Sequence, residues 1–159
     1  MTEFTHIDDK GRVRMVDVAD KPPTDRTAVA QARVSMNPDT FIRISENRVR
    51  KGNVLETARI AGILAAKRTH ELIPMCHPIQ IRHVQIDFFP DAESSSIRIE
   101  ASVRALDRTG VEMEALTAVS TAALTLYDMC KSHDREMTIS DILLLRKTGG
   151  KSGDFKRSR

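Results

Sequence analysis

The chain has 159 residues, 40% of them hydrophobic, which is the size of one globular domain able to bury a core of its own. No run of about 18 or more apolar residues occurs, and Met1 to Lys10 is polar and mixed in charge, so neither a membrane span nor a secretory leader is expected and a cytoplasmic protein is predicted. The net charge of +3 is too mild to imply nucleic acid, and the two cysteines, Cys76 and Cys130, each in an apolar stretch, argue for reduced buried thiols over a disulfide framework.

A first strand is predicted where Ala28, Ala30, Ala32, Val34 and Met36 alternate with more polar neighbours, stopping at Asn37. Asn37 and Pro38 read as an N-cap and first helical position, because proline lacks only a donor that is unpaired there anyway; a short helix through about Ile44 follows. A second helix starts at Asn53. Glu56 stands at the capping-box spacing, and Val54, Ala58, Ala61, Leu64 and Ala65 form an apolar stripe that runs to about Thr69.

Pro74 and Pro78 disfavour helix for the residues before them and leave Met75, Cys76 and His77 in a stiff loop. Ile79, Ile81, Val84, Ile86 and Phe88 alternate with a phase change near His83, which predicts a bulged strand. Ile97, Ile99, Ala101, Val103 and Ala105 alternate cleanly, and the turn from Asp91 to Ser96 joins the two as a hairpin. Val111 to Cys130 is a helix apolar enough to be buried on several sides. Met137 to Leu145 is a last strand leading into a glycine-rich tail.

The order βα, ββ, αβ predicts an α+β chain with a ferredoxin-like βαββαβ arrangement, a four-stranded antiparallel sheet with helices on one face. One domain is expected over 1–159, with flexible segments at about 1–10, at Lys21 to Thr24 around Pro22 and Pro23, and at the basic tail of about 147–159.

Several residue types invite chemistry. Asp128 and Lys131 share a face near the end of the long helix, where a lysine suits the negative end of the dipole. They read either as a surface ion pair or, flanking apolar Met129 and Cys130, as a partly desolvated acid/base pair. Glu112 and Glu114 open the same helix, where complementing its positive end is a sufficient explanation, although residues two apart point to different sides. His77 is held by the backbone beside Pro78 and reads as either a packed ring or a group that polarises a ligand.

Lys51 stands just before the Asn53 helix start, so its ammonium and the free amides there can meet one anion, with Arg26 joining them from the head of the first strand. Gly149, Gly150 and Gly153, with Lys147 and Lys151, form either a loop that closes over phosphates or a solvated tail. A Walker A reading of KTGGKSGD fails, because Leu145 stands where its first glycine belongs. A zinc site of Cys76, His77, Cys130 and His133 is disfavoured, since adjacent Cys76 and His77 rarely ligate together.

The stretches MVDV (Met15 to Val18), KGNVLETARIAGILAAKRTHELIPMCHP (Lys51 to Pro78), GVEMEALTA (Gly110 to Ala118), LTLYDMCK (Leu124 to Lys131) and KTGGKSGDFK (Lys147 to Lys156) resemble the MoaC family of molybdenum cofactor biosynthesis, over about His6 to Lys156. The resemblance implies a lyase that converts 3′,8-cyclo-7,8-dihydro-GTP to cyclic pyranopterin monophosphate with release of pyrophosphate. It implies Asp128 and Lys131 as the catalytic pair, with Lys51, His77, Glu112, Glu114 and Lys147 arranging substrate and protons, and Met75, Cys76 and Met113 lining the binding site. Asn53 departs from an aspartate common in the family, and both residues cap helices.

The inventory suffices without a redox cofactor or resident metal; Mg2+ accompanying the triphosphate is the one addition left open. Glu112 and Asp128 lie roughly 24 Å apart on one straight helix, which a small substrate does not span. Sites shared between chains are therefore expected, and the resemblance implies a homohexamer built from dimers. An RNA-binding role is disfavoured by an aromatic content of 4% and the absence of Trp. A non-catalytic ligand-sensing or assembly module of the same fold is the remaining alternative.

Overall fold

A computed structural model of the chain describes residues 7–8 and 10–158. Its elements are β1 (Thr24–Ser35), α1 (Pro38–Ser45), α2 (Val54–Lys67), α3 (Thr69–Leu72), β2 (Ile81–Asp91), β3 (Ser96–Asp107), α4 (Glu112–Cys130), β4 (Thr138–Thr148) and β5 (Phe155–Lys156). The architecture is α+β, with one antiparallel sheet in the order β2-β3-β1-β4-β5.

The alternation read in the sequence sets which sheet face is dry. Ala28, Ala30, Ala32 and Val34 of β1 and Ile97, Ile99, Ala101, Val103 and Ala105 of β3 are each 0% exposed, and they pack in one core with Ala58 and Ala66 of α2 and Ala115, Ala118, Val119, Ala122 and Leu126 of α4. Small residues let the layers approach closely. A Cβ on Gly62 would overlap Ile86 Cδ1 and stand 2.9 Å from the Ala118 carbonyl, so glycine fixes the α2–α4 crossing.

Local signals hold where they rest on short-range chemistry. Asn53 Oδ1 accepts the Glu56 N–H at 3.1 Å, which caps α2. Asp91 accepts the N–H groups of Glu93 and Ser94 and closes the β2–β3 turn, and the register of that pair slips between Ile81 and His83, the site of the expected bulge. Asn37 stands at the N-cap position of α1, but its side chain makes no capping bond. Its N–H instead donates to Asp134 Oδ2 at 2.8 Å, and Asp134 Oδ1 accepts the Glu136 N–H at 3.0 Å. Asp134 is 3% exposed, so backbone amides solvate a buried carboxylate just beyond α4.

Two expectations are corrected. The second helix ends at Lys67 and a separate turn of helix, α3, follows it. The sheet has five strands instead of four, because residues beyond Thr148 turn back and Lys156 and Phe155 pair with Arg146 and Lys147. The turn uses left-handed backbone at Gly149 (φ +87°) and Gly150 (φ +85°), and a Cβ on Gly149 would overlap the Asp25 carbonyl. A two-residue strand is too short to display a period in the sequence.

Candidate active site

Helix α4 organises the candidate residues by carrying them at its two ends. At the C-terminal end the last carbonyls lack intrahelical partners, and cations are favoured there. Lys51, on the loop before α2, donates to the Asp128 carbonyl at 2.7 Å and lies 3.4 Å from Asp128 Oδ2. Lys131 reaches Asp128 Oδ1 at 2.7 Å. The hydrogen bond from Lys131, and then that from Lys51, hold the Asp128 carboxyl below its usual range, while Asp128 pushes the Lys131 ammonium up. The carboxylate is thus held ionised and the Lys131 ammonium charged, and Lys51 adds a second donor beside the acceptor. All three side chains remain exposed in the single chain.

At the N-terminal end of α4 a cavity of about 380 Å³ is lined by Met75, Cys76 and His77 from the proline-bracketed loop and by Glu112, Met113 and Glu114 from the first turn. Glu114 is 3% exposed, and its Oε2 has no hydrogen-bond partner. Burial, with Glu112 and Asp107 adding like charge, outweighs a backbone hydrogen bond and raises its carboxyl to about 7. Burial likewise pushes the Cys76 thiol up, which makes it a wall of the cavity and a poor nucleophile.

A second cavity of about 420 Å³ adjoins the first and is lined by Lys21, Arg26, Arg108, Lys147 and Lys151, with Glu112 and Ser152. Arg26 donates to the carbonyls of Asp107 at 3.2 Å and Arg108 at 3.1 Å, which anchors the guanidinium across β1 and β3. Lys147 pairs with Glu112 at 3.0 Å and donates to Ser152 Oγ at 2.7 Å. Lys21, Thr109, Gly110 and Glu112 belong to both cavities.

The structure thus gathers Lys51, Asp128 and Lys131 at one end of α4 and Arg26, Met75, Cys76, His77, Glu112, Met113, Glu114 and Lys147 at the other. Within one chain it does not bring the two sets together. The expectation that Arg26 joins Lys51 is corrected, because Lys51 reaches across to Asp128 while Arg26 stays with the β3–α4 loop. Cys76 and His77 line the cavity at the start of α4 whereas Cys130 is buried at its end, and among the described residues no group of three or more His, Cys, Asp or Glu is arranged to hold a metal. Sequence reasoning missed Lys21 and Arg108. Arg108 had a usable signal, since it sits just before Thr109 and Gly110 in a strand-to-helix loop, a common setting for anion sites.

The chain matches the model of the MoaC family over residues 15–150. It is 65% identical over 155 residues to a cyclic pyranopterin monophosphate synthase of Desulfatibacillum aliphaticivorans, a match covering 98% of each chain. A protein of the same name from Desulforapulum autotrophicum is 64% identical, with 100% of this chain and 98% of the relative covered. One from Parvibaculum lavamentivorans is 57% identical, over 97% and 96% respectively. The chain therefore belongs to the MoaC family.

Proposed function

We propose that the chain is a cyclic pyranopterin monophosphate synthase, a lyase of molybdenum cofactor biosynthesis that converts 3′,8-cyclo-7,8-dihydro-GTP to cyclic pyranopterin monophosphate and releases pyrophosphate. One observation carries the chemical reading: a cation-lined cavity adjoins one of mixed polar and apolar lining, where Glu114 Oε2 has no hydrogen-bond partner. A fused ring bearing a triphosphate needs both kinds of surroundings side by side.

Arg26, Lys147 and the cations around them take the triphosphate and stabilise the charge that develops on the departing pyrophosphate. Met75, Cys76, His77, Met113 and Glu114 hold the ring system. Asp128 accepts a proton and the Lys131 or Lys51 ammonium returns one while rings open and close. The rearrangement is not a redox reaction, so the reading includes no redox cofactor, and any Mg2+ travels with the phosphates.

The catalytic pair and the binding cavities come from different copies of the chain in this reading. Met113, Thr117, Ser120, Leu124, Asp128 and Lys131 recur at helical spacing and follow one face of α4, on which Met113 is 37% and Leu124 60% exposed. On the neighbouring α2, Ile60 and Leu64 are 59% and 50% exposed. Laying two such faces together about a two-fold axis buries apolar surface and brings the start of one α4 to the end of the other. We read the assembly as a hexamer of three such dimers in the cytoplasm. The four long strands are read as a single ferredoxin-like domain extended by β5.

Incubating the purified protein with 3′,8-cyclo-7,8-dihydro-GTP and following pyranopterin and pyrophosphate by mass spectrometry tests the assignment. Formation of both is expected; folded oligomer that yields neither refutes it. Asp128→Ala should abolish turnover while the protein stays folded, whereas a non-catalytic module would have no turnover to lose.

A further inference from the structure

Glu112 is a carboxylate set among cations, which a pocket built only to attract anions does not call for. Its carboxylate pairs with Lys147 at 3.0 Å in the cavity lined by Lys21, Arg26, Arg108 and Lys151. Both side chains of that pair are partly buried, at 27% exposure for Glu112 and 21% for Lys147, so the contact is less screened than a surface pair. It is also seated. The carboxylate lies over Gly110, where the three atoms nearest to an added Cβ all belong to Glu112 and its Oε2 would be overlapped. Glu112 lines both cavities, so it stands in the wall between them.

We propose that Glu112 is a built-in counter-anion: it occupies the Lys147 position when the phosphate cavity is empty, swings away when a polyphosphate enters, and returns to displace the inorganic pyrophosphate product. The inference rests on the reading of the cation-lined cavity as the phosphate site. A tethered carboxylate competes with a diffusing anion for the same ammonium, and any affinity it removes is removed equally from product and from stray phosphates. Substrate carries ring contacts that pyrophosphate lacks, so it stays bound under the same loss that lets pyrophosphate leave. Gly110 supplies the seat that keeps the carboxylate in place.

Titration of the whole protein with inorganic pyrophosphate by calorimetry tests this directly. Glu112→Gln removes the competing charge and is expected to tighten pyrophosphate about five- to tenfold. Gly110→Ala leaves the charge but fills its seat, and it is expected to tighten pyrophosphate in the same direction. The double variant should add little to either single change, because both act on one contact. Lys147→Ala should weaken pyrophosphate in every background. Unchanged or weaker binding by Glu112→Gln, with wild type binding and Lys147→Ala losing affinity, overturns the counter-anion and leaves the phosphate site standing. Full additivity of the two tightening changes also overturns it. Absence of pyrophosphate binding in wild type and both variants overturns the phosphate-site reading and the counter-anion with it.

Discussion

Replacing Glu114 by glutamine isolates the cost of burying a carboxyl at the start of α4. The group rises from 4.5 to about 7 in the folded chain, mainly through burial. Between those values the folded chain keeps a proton that the unfolded chain has released, so stability is full below the window and falls as pH rises through it. At about 1.4 kcal/mol per tenfold, the loss reaches up to about 3 kcal/mol. Glutamine imitates the protonated acid and cannot ionise. Urea unfolding at fixed protein concentration should therefore give Glu114→Gln a stability close to wild type at about pH 4 and up to about 3 kcal/mol above it at about pH 8. Parallel pH profiles for the two proteins would refute the claim that Glu114 is held protonated by its surroundings.

Two further predictions concern α4 and its exit. Asp134→Ala leaves the Asn37 and Glu136 N–H groups without their acceptor in a buried site, and it should lower stability by about 2–4 kcal/mol in urea unfolding; a change under about 0.5 kcal/mol would contradict the account of that carboxylate. Removing the Lys131 ammonium by Lys131→Met takes away the larger of the two hydrogen bonds that depress Asp128. Any turnover that survives should lose its acid side at higher pH than wild type, since Asp128 then protonates sooner as pH falls. A pH profile of kcat/KM checks this, and an unmoved acid limb would separate Asp128 from the proton transfer.

How much of this was legible in the sequence depends on the range of the interaction. The β2–β3 hairpin, its bulge near His83 and the buried α4 follow from periodicity over many residues, and the Asn53 cap follows from a spacing of three. β5 has two residues and no period, and the Asp134 bond to Asn37 joins positions that share no pattern. The site shows the same division. Asp128 and Lys131 are visible as neighbours on one helix, and Glu112, Met113 and Glu114 as its first turn. That Lys51 falls to the first group and Arg26 to the second is set by which end of α4 the loop before α2 and the start of β1 lie against, a fact of topology. Lys21 and Arg108 are ordinary surface cations until the segment before β1 and the β3–α4 loop fold to one cavity with Lys147.

The central claim is that neither end of α4 is a complete site by itself, and subunit mixing measures it. Asp128→Ala damages one end and His77→Ala the other, so each homogeneous protein should be inactive. Co-expressed with separate tags and isolated as verified mixed assemblies, random pairing should restore about a quarter of wild-type turnover, because one of the two sites in each mixed dimer is intact. If every site is built from a single chain, each remains damaged and the mixed assemblies should be as inactive as their parents.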